Sequence, residues 1–202
     1  MELLRLDKSH VASAAEAWGL AFPPGGNGNI IPRMWEVLLR LKIRHGEVYA
    51  TSQSFEGVAA WLRPTLVYPT ALQVIASAPL DLAVFLRSGG KAVVAEYKFQ
   101  ESMQKRNAPM PHWHLGPIAV IPDKQGQGFA SRLMRPMLAR ADAEGMPVYL
   151  DANNDVHISL YEHFGFEEKE RITMPGGGFW NASMLRMPRL GRGESSSRPV
   201  RR

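Results

Sequence analysis

Cysteine is absent from the 202 residues. Its absence excludes disulfides, cysteinyl zinc sites, iron–sulfur clusters and a thiol nucleophile together. No stretch approaches the roughly 20 consecutive apolar residues that a membrane helix needs. The opening Met1-Glu2-Leu3-Leu4-Arg5-Leu6-Asp7 breaks each short apolar run with a charge, unlike a secretory signal. A cytoplasmic chain without a membrane partner is expected. No internal repeat is visible.

Excess basic charge is also scarce once the C-terminus is set aside. The net charge is +5, yet Pro188–Arg202 alone holds five arginines against Glu194, a balance of +4 that leaves +1 for residues 1–187. A nucleic-acid partner is therefore not expected for the folded body. The segment Gly191–Ser197 cannot bury enough apolar surface to fold, so 188–202 reads as a disordered basic tail.

What is present suffices for one domain. Hydrophobic residues are 45% of the chain, enough for a sizeable core, and the length fits a single unit over 1–187. Residues 2–6 alternate like a strand. A helix from an N-cap at Ser9 to about Ala21 follows, then the breaker-rich loop Phe22–Asn29. Helical spacing over Met34, Val37, Leu38 and Leu41 precedes two strands, Val48–Ser52 and Gly57–Leu62. Residues 66–106 read as a mostly helical insertion between the third and fourth strands. Trp113–Ile121 reads as a strand in which Pro117, lacking an N–H, marks a bulge or an edge. The remainder reads as a helix from the Gln125–Ala130 region, a strand Val148–Asp151, a helix Val156–Phe164 and a final hairpin, 166–174 with 180–187.

The segment Gln125-Gly126-Gln127-Gly128-Phe129-Ala130 places glycines at a helix start. Unpaired amides and the positive end of the helix dipole favour an anion there, and glycine lets it approach the backbone. A pyrophosphate is the natural ligand. The mononucleotide P-loop fails because Phe129 follows Gly128 where lysine is required. A dinucleotide fingerprint fits Gly126, Gly128 and Asp151 but lacks the third glycine and the chain length for the remaining sheet.

Three motifs in order resemble the GNAT superfamily of acetyl-CoA-dependent N-acetyltransferases. Gln125, Gly128 and Ala130 match the cofactor signature Gln/Arg-x-x-Gly-x-Gly/Ala. Trp113-x-Leu115-x-x-Ile118-x-Val120-x-Pro122 is similar to the strand leading into it, and Tyr161-Glu162-His163-Phe164-Gly165-Phe166 to the Tyr-x-x-x-Gly-Phe element. Within the superfamily the puromycin N-acetyltransferase type is nearest, through the Gly-x-Pro-x-Tyr-Leu-Asp run at Gly145–Asp151 and the terminal Pro-x-Gly…Trp…Met-x-Arg. The resemblance implies a mixed α/β GNAT fold: a mostly antiparallel sheet of six to seven strands with helices on both faces.

By this resemblance Ile118, Ala119 and Val120 lie along the pantetheine arm, with Ile118 and Val120 offering backbone groups. Gln125, Gly126, Gln127, Gly128, Phe129, Ala130 and Ser131 hold the pyrophosphate. Asn154 and His157 stand near the position where relatives contact the cofactor arm with Asn, and Tyr161 stands where the family places the acid that protonates the leaving thiolate. His114 occupies one of the family's base positions, and an imidazole of ordinary pKa near 6.5 suits that role. Asp151 and Glu96 are further base candidates. His112, two residues from His114 and on the same face of a regular strand, could instead pair with it on a metal, but no third ligand is nearby and cysteine is absent. Trp61, Trp113 and Trp180 could line an acceptor pocket or belong to the core.

The implied enzyme is an N-acetyltransferase with acetyl-CoA as co-substrate and no metal. Without cysteine, transfer from acetyl-CoA to a small-molecule amine would be direct, in a ternary complex. A monomer or homodimer is expected. A non-catalytic acyl-CoA-binding module and a protein-directed acetyltransferase guided by the arginine tail stand as alternatives.

Overall fold

A computed structural model describes residues 2–21, 31–64, 90–173 and 180–189, apart from the side chains of 31–34 and 90–97. Residues 22–30, which include the expected loop Phe22–Asn29, most of the expected 66–106 insertion, residues 174–179, those from 190 onward in the expected tail and the side chain of Glu96 lie outside this description.

The strands are β1 (Leu4–Arg5), β2 (Gly46–Ala50), β3 (Gly57–Leu62), β4 (Trp113–Val120), β5 (Val148–Ala152), β6 (Glu167–Thr173) and β7 (Trp180–Arg186). They form one seven-stranded sheet in the order β1-β2-β3-β4-β5-β7-β6. Every pairing is antiparallel except that of β4 with β5. The described helices are α1 (Val11–Ala21), α2 (Ile31–His45), α3 (Gly90–Asn107), α4 (Phe129–Ala143) and α5 (Asp155–His163). This is the mixed α/β arrangement expected from the motifs, with α3 between the third and fourth strands.

The helices cover both faces. On one, Leu133, Met134 and Met137 of α4 and Ile158 of α5 pack over Trp61, Leu115, Leu150 and Met184. On the other, Trp18 of α1 and Leu39 of α2 cover Val48, Val58 and Ala60. Strand β3 is buried throughout, which explains why its sequence runs apolar instead of alternating.

One helix start differs from expectation. The cap before α1 is Asp7, whose carboxylate accepts from the Ser9 amide at 2.8 Å, and a short 3-10 turn, Lys8–His10, precedes the helix proper. An aspartate two residues upstream of an unpaired amide caps it directly, so Ser9 falls inside the turn.

The feature that positions the site is in β4. Ala59 pairs with Ile118 but Trp61 with Leu115, so β4 carries one extra residue at Gly116–Pro117. This is the bulge that Pro117 suggests. On its other edge β4 pairs with β5 only through Trp113↔Val148 and His114↔Tyr149. Beyond His114 the two strands part and form a fork.

Candidate active site

After β4 the chain makes a 3-10 turn, Pro122–Lys124, and an exposed loop, Gln125–Gly128, before α4 begins at Phe129. Gly126 and Gly128 have φ of 72° and 80°, a region that side chains disfavour, so the glycines are demanded by the backbone itself. The Arg132 amide bonds the Gly128 carbonyl at 3.0 Å as the first turn of α4 closes. The amides of Gly128, Phe129, Ala130 and Ser131 therefore have no carbonyl one turn behind them to bond. Gln125 Nε2 donates to the Val120 carbonyl at 3.1 Å and Gln127 Nε2 to that of Asp123 at 2.9 Å. Both glutamines brace the loop. The Arg132 guanidinium stacks 4.9 Å from the centre of the Phe129 ring, adding positive charge beside the helix start.

Backbone direction along β4 follows from its end. The Ile121 amide donates to the Glu56 carbonyl at 2.9 Å on the β3 side. Alternate residues of an extended strand point their amides and carbonyls in opposite directions. Ile118 and Val120 thus turn theirs away from β3, toward the fork. Ala119 does the reverse: it pairs with Val58 and its methyl joins the core beneath α1 and α2.

On the α1/α2 face of the sheet a polar group gathers at the base of the fork. His114 is buried, its ring edge-on to that of Tyr149 at 5.4 Å. Asp151 Oδ1 accepts from the Tyr149 hydroxyl at 2.7 Å and from Asn181 Nδ2 at 3.2 Å. Ser183 Oγ lies 2.8 Å from the same hydroxyl. The other carboxylate oxygen, Oδ2, stands 4.0 Å from His114 Nε2. Burial, with the positive fields of Lys42 and His112 behind it, holds the His114 imidazole well below its ordinary pKa. Burial brings the Lys42 ammonium of α2 down to about 8, against the opposing pull of Asp151. The Tyr149 hydroxyl is pushed far up by burial and by the Asp151 charge.

His112 flanks the same tyrosine, its ring 5.6 Å from that of Tyr149. Its Nδ1 lies 2.7 Å from the Met110 carbonyl, which can only accept. The proton is therefore on Nδ1, and Nε2 accepts from the Gln104 side-chain amide. Both ring nitrogens of His112 are thus engaged.

Tyr161 lies on the opposite face of the sheet. It is buried among the α4/α5 core residues, its ring 5.9 Å from Phe166, and burial lifts its phenol to about 12. Asn154 caps α5 by accepting from the Val156 amide at 2.8 Å, and His157 is exposed on that helix. Trp61 and Trp113 are core residues, so they do not line a pocket; Trp180 is half-buried beneath the Arg171 guanidinium, 4.2 Å from its ring centre. Lys42, Asn181 and Ser183 carry no motif, and Tyr149 enters the sequence reading only as part of the Gly145–Asp151 run. Only the two-residue spacing of Tyr149 with Asp151 and of Asn181 with Ser183 hints that each pair shares a strand face.

Residues 61–166 match the model of the acetyltransferase (GNAT) family. The chain belongs to that family. This GNAT protein is 35% identical over 62 residues to an uncharacterised N-acetyltransferase of Schizosaccharomyces pombe, a match covering 31% of this chain and 25% of the relative. The chain thus spans about a quarter of that relative's length. Among solved structures, the histone acetyltransferase HPA2 and related acetyltransferase from Corynebacterium glutamicum superposes with a TM-score of 0.60 at 19% identity, covering 96% of this chain and all (100%) of that one. The Drosophila melanogaster polyamine N-acetyltransferase gives 0.59 at 11% identity, covering 92% and 100%. The ribosomal-protein-S18-alanine N-acetyltransferase of Escherichia coli gives 0.57 at 16%, covering 96% and 97%. At such identities these structures share the fold alone. The matched family is one of acetyltransferases. None of its described helices is long and apolar enough to cross a membrane.

Proposed function

We propose that this GNAT enzyme transfers acetyl directly from acetyl-CoA to the amine of a small molecule, within a ternary complex. The observation that carries the reading is the His114–Asp151 pair, 4.0 Å apart, at the point where β4 and β5 diverge. The amides of Gly126 to Ser131 hold the pyrophosphate, with Gln125 and Gln127 keeping the loop in shape. Ile118 and Val120 present backbone groups to the pantetheine arm along the fork. Asn154 and His157, at the start of α5, flank that arm.

His114 Nε2 takes the proton that the amine must lose, and Asp151 stabilises the imidazolium formed. The amine nitrogen bonds to the acetyl carbon as the carbon–sulfur bond breaks. Tyr161, a phenol that burial keeps protonated, delivers a proton to the departing thiolate. The chain has no cysteine to carry acetyl as a thioester, which supports single-step transfer. The resemblance of Gly145–Asp151 and of the C-terminal hairpin to the puromycin N-acetyltransferase type supports a small-molecule acceptor. Residues 1–187 form the one catalytic domain in this reading.

The test is a panel of primary amines incubated with enzyme and acetyl-CoA, following free thiol and the acetylated product by mass spectrometry. Amine-dependent thiol release with matching product is expected. A protein that binds acetyl-CoA yet acetylates no small amine would overturn the reading.

A further inference from the structure

Strand β4 carries a glycine directly against the histidine of the fork. The last rung between β4 and β5 is His114↔Tyr149, so Gly116 stands just past the point where the strands part, in the bulge opposite β3. Glycine weakens a strand interior relative to alanine, and its presence there calls for a cause. Backbone geometry does not supply one, since Gly116 lacks the positive φ of Gly126, Gly128, Gly145 and Gly165. Crowding does not supply one either. At Gly46 a Cβ would stand 2.1 Å from the Trp61 carbonyl oxygen, which only glycine allows. At Gly116 the atoms of described residues that a Cβ would meet are His114 Nε2 at 3.4 Å and Cδ2 at 3.7 Å, both ordinary van der Waals contacts. Alanine therefore fits the fold. What it takes is the volume beside Nε2.

A strand glycine that neither φ nor packing demands marks the close approach of a ligand. Resting on the function proposed above, in which Nε2 takes the proton, we infer that Gly116 is a specificity residue of the acceptor site: its missing side chain seats the carbon that bears the amine, so the enzyme accepts primary amines branched at that carbon. Proton transfer brings the acceptor nitrogen to about 2.6–3.2 Å from Nε2. A methyl 3.4 Å from the same atom touches a nitrogen so placed and competes with the groups on the carbon behind it.

Ethylamine and isopropylamine differ by one methyl on the amine-bearing carbon, the size of the side chain that Gly116 lacks. Hydroxylamine has no such carbon. With the full-length enzyme and saturating acetyl-CoA, wild type should use isopropylamine and ethylamine with comparable kcat/KM. Gly116→Ala should lower kcat/KM for isopropylamine at least about tenfold more than for ethylamine, the usual worth of one such group in a fitted site, and for hydroxylamine least of all. Its melting temperature should equal or exceed that of wild type, because alanine narrows the unfolded ensemble, and its acetyl-CoA affinity should be unchanged. Rejection of isopropylamine by wild type, an equal loss with all three nucleophiles, a lower melting temperature or a weakened acetyl-CoA affinity makes Gly116 a residue of the bulge alone and overturns the proposal. NMR of the His114 ring, assigned by its loss in His114→Gln, separates this inference from the reaction itself. At fixed pH, ring signals that isopropylamine shifts in wild type and not in Gly116→Ala support the seat even where nothing is acetylated; signals that move in both proteins, or in neither, sink it.

Discussion

Asp151 is held by one oxygen and faces His114, the base proposed above, with the other. Oδ1 takes the Tyr149 hydroxyl at 2.7 Å and the Asn181 amide at 3.2 Å, while Oδ2 stands 4.0 Å from His114 Nε2. The tyrosine and asparagine fix the carboxylate's orientation on the sheet. In the resting state the separation is longer than a hydrogen bond. A proton arriving on Nε2 turns the contact into a charge-assisted one, so the pair favours the state that follows proton abstraction.

That relationship fixes the pH dependence. A base works when unprotonated, so turnover rises with pH through its pKa. Burial, Lys42 and His112 hold His114 well below the ordinary imidazole value, so the limb lies on the acid side of 6.5 and the profile is flat from neutrality upward. The expectation of a limb near an ordinary imidazole's pKa omits this burial. The measurement uses a weakly basic acceptor amine, whose own ionisation does not intrude. His114→Gln should remove the limb and lower kcat by about 10²–10⁴, with acetyl-CoA affinity unchanged. A limb near pH 8 that survives the substitution would place the base at Lys42 instead.

Asp151→Asn keeps an acceptor for the Tyr149 hydroxyl and removes the charge. Losing a nearby anion disfavours the imidazolium, so the limb should move further toward acid and kcat should fall at least about tenfold. An unmoved limb in a folded variant shows that the carboxylate only shapes the strand face.

Gly128 caps α4 in the left-handed region, at φ 80°, with no heavy atom within 4 Å of where a Cβ would stand. Gly128→Asp meets no neighbour but carries left-handed backbone strain of about 1–2 kcal/mol, toward the low end because aspartate tolerates this conformation better than most residues. It puts a negative charge at the amides proposed for the pyrophosphate. Calorimetry should show acetyl-CoA affinity reduced by at least about tenfold, with the variant still folded and its melting temperature lowered only by the backbone strain. Unchanged affinity would refute the loop's role.

Tyr161→Phe deletes one hydroxyl and almost no volume. Burial makes the phenol a weaker acid, at about 12, while a thiol leaves at about 8.5 by analogy with cysteine. Proton donation then contributes toward the lower end of the usual range, so kcat should fall about 10²-fold. An acyl donor with a more acidic thiol should narrow the gap. A loss of stability, or an equal loss with every donor, would make Tyr161 a core residue alone.

Arg186 is buried, with both terminal nitrogens 2.7 Å from the Asp142 carboxylate and Nε 3.0 Å from the Phe164 carbonyl. Asp142→Ala leaves that guanidinium without its counter-charge and should cost about 3–5 kcal/mol in denaturant unfolding. The hydrogen bonds from Arg186 hold the Asp142 pKa below the carboxylate range. Its stabilisation is therefore present above the unfolded value of about 3.9 and is lost as pH falls through the lower folded value. A wild-type protein no more stable than Asp142→Ala at pH 7 would contradict this.

The glycine loop before α4 was legible in the sequence because its physics is local. Two glycines, a turn and a helix start occupy consecutive residues, and the positive φ of Gly126 and Gly128 is a property of the backbone there. The bulge at Pro117 was equally legible, since proline removes a ladder donor wherever it stands. The order of strands and helices followed from periodicity and breakers, and the family from three motifs in series. What the fold alone decided was neighbourhood and burial. Lys42, Tyr149, Asn181 and Ser183 come from α2, β5 and β7, and they gather around Asp151 only because β7 inserts beside β5 and α2 lies across that face. Strand parity set His114 on one face of the sheet and left Tyr161, carried by α5, on the other. The depressed pKa of His114 arises from the solvent excluded around it and from Lys42, more than 70 residues earlier in the chain. Conformational preferences reside in adjacent residues, whereas desolvation and Coulomb interactions depend on distances that exist only after the chain has folded.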